Sequence, residues 1–221
     1  MVNVEFYIHS LIALLKGKFG NRLVYVGLQG SYLRAEATEK SDIDIMVVID
    51  GLRISDLNDY RRIIESLGHA DKSCGFICST EDLAHWNPLE MCHLIHSTKD
   101  FHGSLIHLIP GYSREDIRNF VKISINNLYH EICHRYIHGS LPDNKSGLPL
   151  TYKGVFFILQ NLHYLRTGAF IGTKAELLSA LEGKDRAVLL QSMEMQSDAF
   201  WNFEESFALL YHWCQETLVR I

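Results

Sequence analysis

The chain has 221 residues, 47% hydrophobic and 21% charged, a balance that suits a folded globular protein and excludes a disordered one. No apolar run approaches the roughly 18 residues of a membrane span; the densest, Val155 to Leu159, is five residues long. Twenty-six acidic against 21 basic side chains leave a net charge of −5, which disfavours a protein that neutralises many nucleic-acid phosphates and favours small-molecule or protein substrates.

The amino-terminal stretch has an apolar middle, but Glu5 stands near its front and Lys16 and Lys18 follow the apolar residues. It reads as an amphipathic helix rather than a signal peptide. The five cysteines contain no C-x-x-C pair, so a disulfide framework is not expected and the expected location is the cytoplasm.

After this opening helix, Leu23 to Leu28 is a run of β-formers broken by Gly27, and Ile43 to Ile49 is a second strand beyond a polar stretch over 34–41. Ser55-Asp56 offers helix N-cap chemistry, with Leu57, Tyr60, Ile63, Ile64 and Leu67 at helical spacing up to Gly68. Cys74 to Cys78 reads as a third strand, and short helices are expected near 80–86 and 88–96. Strands interleaved with helices give residues 1–110 a mixed α/β character.

From Pro110-Gly111 onward the pattern is helical. Ser113 with Asp116 is a capping box, followed by Ile117, Phe120, Val121, Ile125, Leu128 and Ile132 on one face. Gly139 to Pro149 reads as a loop by composition, and helices are expected over 151–167, 174–183, 184–194 and 198–220, with a second capping box at Thr173 and Glu176. Residues 111–221 therefore read as a helical bundle. Phe200, Phe203, Phe207, Leu210 and Cys214 form a stripe that suits a core seam or a homodimer contact.

The chemistry concentrates in Gly30-Ser31, a spacer of ten residues, and Asp42-Ile43-Asp44. Aspartates two positions apart on a strand share a face, while Ile43, Ile45 and Val47 point the other way. Two neighbouring carboxylates repel one another unless a cation lies between them, and Mg²⁺ held by carboxylates commonly brings phosphate oxygens as further ligands. A glycine at a strand end lets backbone approach such a ligand closely, the following N–H groups attract anions, and the serine hydroxyl adds a donor.

Gly30, Ser31, Asp42 and Asp44, with apolar Ile43 and Ile45, resemble the signature of the nucleotidyltransferase superfamily related to DNA polymerase β. The helical second half resembles its small-molecule, aminoglycoside-type branch. The resemblance implies an α+β protein: a nucleotidyltransferase domain with a small mixed sheet over 1–110, then a helical bundle over 111–221 that completes the cleft. It implies a Mg²⁺-dependent transfer of a nucleoside monophosphate, AMP from ATP, onto a small-molecule hydroxyl. Asp42 and Asp44 would bind Mg²⁺ and act in catalysis; Gly30 and Ser31 would hold the phosphates. Lys153 and Lys174, with Arg166 as a third basic residue, would face the triphosphate. Relatives often carry a third carboxylate on a later strand, but Cys74 to Ser79 has none. Glu81 or Asp82 just beyond is the expected substitute, although both also suit the first turn of a helix, and Glu131 is another candidate. A nucleotide-binding, antitoxin-like protein with little turnover fits the same residues.

A competing pattern, His130-Glu131-x-x-His134, matches a zinc-protease motif, with His138 one turn further. Three histidines along one straight helix cannot surround a tetrahedral ion, and no downstream ligand completes the set.

Overall fold

The computed structural model describes residues 2–197 and 199–221. Within it the chain divides into two compact units, the first ending at Gly111 and the second beginning at Tyr112.

The first unit opens with α1 (Val4–Phe19), capped by the Asn3 side chain, which accepts the Phe6 N–H. β1 (Leu23–Leu28) leads through a tight turn into α2 (Gly30–Leu33), β2 (Ile43–Ile49), α3 (Ile54–Leu67) and β3 (Ser73–Cys78). Two short helices, α4 (Thr80–Ala84) and α5 (Pro88–His96), precede β4 (Lys99–His102). The sheet order is β3-β2-β1-β4. β1 runs antiparallel to both β2 and β4, while β2 and β3 are parallel, so the sheet is mixed.

The period-two alternation of β2 assigns its two faces. Ile43, Ile45, Val47 and Ile49 pack with Val26 and Leu28 into a core that includes Ile8, Leu11 and Leu15 of α1. Full burial of each such side chain contributes about 1.5–3 kcal/mol, which fixes the register, because a slip by one residue would turn this set to the other face. Met46 and Val48 project to the other face, beside Tyr25, Cys78 and Leu83. Asp44 belongs to this second row.

The second unit consists of α6 (Arg114–His138), α7 (Leu141–Thr167), α8 (Lys174–Ala180), α9 (Gly183–Glu194) and α10 (Phe203–Arg220). Their apolar stripes meet in one core around Val121, Ile125, Tyr152, Phe156, Leu159, Leu189 and Trp213. Ser113 caps α6 reciprocally with Asp116, and Thr173 caps α8 by accepting the Glu176 N–H. Among the described residues no helix is long and apolar enough to cross a membrane.

Several expectations require correction. The segment from Gly139 to Pro149 is helical from Leu141 onward. Ser140 caps α7 by accepting the Asp143 N–H, and Pro142 sits in the first turn, where its missing donor would lack an intrahelical partner anyway. Pro149 lies inside the helix and is tolerated there. At α3 the capping side chain is Asp56 rather than Ser55: the helix starts at Ile54 and Asp56 accepts the Arg53 N–H at 2.9 Å. The last helix begins at Phe203 behind the Asn202 cap; Asp198, in the expected span, lies outside the described residues. β4 has no counterpart among the expected strands. Within the terminal seam Phe203, Leu210 and Cys214 are core residues, whereas Phe200 is 94% exposed and precedes the helix.

Candidate active site

Asp44 is the second residue of β2 and half-buried; Asp42 immediately precedes the strand and is exposed. With Ile43 and Ile45 committed to the α1 side of the sheet, both carboxylates rise from the opposite face. Burial pushes the Asp44 carboxyl above the usual carboxylate range and the neighbouring Asp42 charge adds to this, while a hydrogen bond from the Cys74 thiol and the charge of Arg34 oppose it. The ionised pair is therefore under-compensated, and a divalent cation between the two would supply what is missing. Among the described residues no cluster of three or more His, Cys, Asp or Glu is arranged to hold a metal. An ion here would rest on two carboxylates and take its remaining oxygens from phosphate and water, the habit of Mg²⁺ at nucleotide sites.

The turn after β1 closes on this pair. The Gln29 N–H donates to the Asp44 carbonyl at 2.9 Å, which ties the turn to β2. Gly30 follows with φ +69°, and a Cβ built on it would fall 1.9 Å from Asp44 Oδ2 and 2.7 Å from its Cγ. Only glycine lets the backbone lie against the carboxylate, and only glycine adopts this φ without strain. Ser31 follows in α2, half-buried. The first N–H groups of a helix have no intrahelical partners, so this short turn presents donors beside the acids.

Other residues of the site lie outside the expectations drawn from the sequence. Arg34 follows α2 within electrostatic reach of Asp44 and donates to Glu36 at 3.0 Å. On α5, His93 is pushed down to about 4 by burial and by the Arg34 and His96 charges. Gln29 Nε2 donates to Thr98 Oγ1 at 2.8 Å. On β4, Asp100 pairs with Gly27 and accepts the Tyr25 hydroxyl at 2.6 Å, which puts a further acid on the same face of the sheet. A sequence signal exists for Arg34, a cation four residues beyond Gly30; none exists for Asp100, because its strand is too short and too charged to stand out.

The register identifies the neighbour of Asp44 on β3 as Cys74. Its thiol, pushed up by burial and the adjacent acids, donates to the Asp44 carboxylate. Glu81 does not join the pair. It follows the end of β3 at Cys78, which lies opposite Val48, and the adjacent Thr80 hydroxyl donates to Asp50 at 2.7 Å. Asp50 is beyond the far end of β2, six residues from Asp44, or about 20 Å along an extended strand. Asp82 caps α4 by accepting the Ser79 N–H at 3.0 Å. Glu131 accepts the Thr151 hydroxyl at 3.0 Å and pairs with Arg135 at 3.2 Å.

The three basic residues expected at the triphosphate lie in the second unit. Lys153 is exposed on α7. Lys174 begins α8, donates to Gln196 at 2.9 Å and lies 5.9 Å from the Phe156 ring centroid. Arg166 donates to the buried Asp185 at 2.7 Å, a carboxylate that also accepts the Trp213 indole N–H at 2.7 Å.

Comparison with known proteins agrees with this geometry. A family model described as a nucleotidyltransferase domain matches residues 11–74, the span from α1 through the start of β3. A Methanocaldococcus jannaschii protein assigned as a putative protein adenylyltransferase is 43% identical over 54 residues, 24% of this chain; the chain spans about half, 52%, of that relative's length. The crystal structure of a spectinomycin adenyltransferase from Enterococcus faecialis, with ATP and spectinomycin, aligns over 96% of this chain and all of its own with a TM-score of 0.62 at 14% identity. That likeness is one of fold. A toxin–antitoxin structure with AMP-PNP covers 62% of this chain and 94% of its own at 23% identity, with a TM-score of 0.31 that is too low to argue from. Residues 11–74 thus match a nucleotidyltransferase domain, and the chain shares the fold of the spectinomycin adenyltransferase.

Proposed function

We propose that the chain transfers AMP from ATP to a hydroxyl of a small molecule such as an antibiotic, with Mg²⁺ held by Asp42 and Asp44. The observation that carries this reading is the seating of the Gly30 backbone directly against the Asp44 carboxylate, which joins a tight turn to an acid pair. When bound, the ion neutralises triphosphate charge and polarises the α-phosphorus. Gly30 and Ser31 orient the β- and γ-phosphates as the leaving group through backbone N–H and hydroxyl donors. Arg34 adds positive charge on the same side. The acceptor oxygen forms a bond to the α-phosphorus, the bond to the bridging oxygen breaks, and pyrophosphate departs with that electron pair. In the absence of a neighbouring acid on β3 the hydroxyl proton passes to water. Lys153 and Lys174 are the further cations of this reading for the triphosphate.

The test is incubation with α-labelled ATP, Mg²⁺ and a panel of hydroxylated antibiotics, following label by mass and pyrophosphate release. Label on a small molecule, lost in Asp42→Asn, is the expected result; transfer retained by that variant contradicts the assignment. Label on protein instead would direct the acceptor class toward protein hydroxyls, the substrate class named for the archaeal relative being protein.

A second reading, a nucleotide-binding protein with little turnover, is favoured by one feature: the side chain opposite Asp44 is Cys74. Without a base on β3, a contribution of roughly 10²–10⁴ in rate from that position is lost. Saturable ATP binding without label transfer to any acceptor would select this reading.

A further inference from the structure

The sequence pattern of histidines on α6 is left unused by the transfer site. His130, His134 and His138 lie on successive turns of that helix. The zinc-protease reading of this stretch does not hold, because the intervening Glu131 is engaged by Thr151 and Arg135 rather than placed as a base. The rings themselves are informative. The centroids of His134 and His138 are 4.8 Å apart with planes at 49°, whereas those of His130 and His134 are 6.0 Å apart.

A metal–imidazole bond of about 2.1 Å puts each ring centroid roughly 3.2 Å from the ion, so two imidazoles in adjacent coordination positions stand about 4.5–5.2 Å apart, centre to centre. The His134–His138 separation falls inside that window, and the His130–His134 separation falls outside it. We propose that His134 and His138 chelate one late first-row divalent transition-metal ion (the class of Zn²⁺, Ni²⁺ and Cu²⁺, which prefers imidazole nitrogen). Among the described residues no third His, Cys, Asp or Glu joins them as a metal-holding cluster, so the remaining coordination positions are open to water. The chelate spans the last two turns of α6 ahead of Gly139 and braces the helix end.

The test is titration calorimetry of the full chain, free of any affinity tag, with Ni²⁺ at neutral pH and with excess Mg²⁺ to occupy the carboxylate pair. One saturable site is expected. His134→Ala and His138→Ala should each weaken it by about tenfold or more, because one donor of a linked pair is lost, while His130→Ala should change it by less than about twofold. None of the three rings belongs to the buried core of the second unit, so the variants should keep the wild-type Tm in metal-free buffer. Absence of a saturable site, or loss in His130→Ala equal to that in His138→Ala, overturns the proposal.

Discussion

Replacement of Gly30 by alanine isolates the contact on which the proposed site depends. The added Cβ meets Asp44 Oδ2 at 1.9 Å, well inside van der Waals contact, so the carboxylate or the turn must yield by more than about 1 Å, roughly the displacement that costs 10²-fold when it disturbs reacting geometry. The φ of +69° adds strain of about 1–2 kcal/mol for a residue with a side chain. Asp44 cannot swing away without loss, since it accepts the Cys74 thiol on one side and sits beside Asp42 on the other. Gly30→Ala should therefore lower kcat/KM for AMP transfer by about 10²-fold or more while unfolding remains cooperative, with stability reduced by about 1–2 kcal/mol. Initial rates of pyrophosphate release and urea denaturation measure the two effects separately. Activity within about threefold of wild type, a change of only about 0.6 kcal/mol, would mean that the turn does not position the carboxylate, and the reasoning would fail.

Four further outcomes are expected of the same structure. Asp44→Asn should abolish transfer yet raise the Tm of the metal-free protein. The wild-type carboxyl titrates higher in the fold than in the unfolded chain, so its ionised form is penalised at neutral pH. That penalty disappears as pH falls through the folded-state pKa, and the advantage of the asparagine variant should shrink toward acid; a Tm advantage constant with pH would contradict this. Cys74→Asp puts a carboxylate opposite Asp44 and should raise the transfer rate by about tenfold or more, toward the range of a general base, with a Tm cost from added like charge; an unchanged rate would show that proton removal does not limit turnover. Asp185→Ala leaves the buried Trp213 N–H without its acceptor and should destabilise the protein by about 1–3 kcal/mol. Arg166→Ala should weaken the same cluster and leave the KM for ATP unaltered, whereas a raised KM would assign Arg166 to the nucleotide.

The parts of this protein that are legible in the sequence are those written by local rules. The alternation of Ile43, Ile45 and Val47 with Asp44 announces both the strand and its two faces, and the Gly30-Ser31 turn stands out because so few residue types permit it. The capping pairs at Ser113 and Thr173 mark two helix starts for the same reason. The misses arise where tertiary context decides. β4 has only four residues, two of them charged, and becomes a strand by pairing with the edge of β1. The segment after Gly139 carries two prolines and a further glycine that argue for a loop, yet Leu148, Tyr152 and Val155 face the core, and that burial together with the Ser140 cap holds it helical. Glu81 is attractive in the sequence because it comes just after the relevant strand; β3 runs parallel to β2, so the residues beyond Cys78 emerge at the end of the sheet away from Asp44. Only the register reveals that Cys74, and no acid, is the β3 neighbour of Asp44.

Whether Asp42 and Asp44 hold a divalent ion beside a triphosphate seated on the Gly30-Ser31 turn is tested most directly by crystallography with Mn²⁺ and a non-hydrolysable ATP analogue. The expected result is an anomalous peak within about 2.0–2.3 Å of carboxylate oxygens from both aspartates, with phosphate oxygens against the backbone of residues 30–31. A manganese peak away from that pair, or a nucleotide bound elsewhere on the molecule, would contradict it.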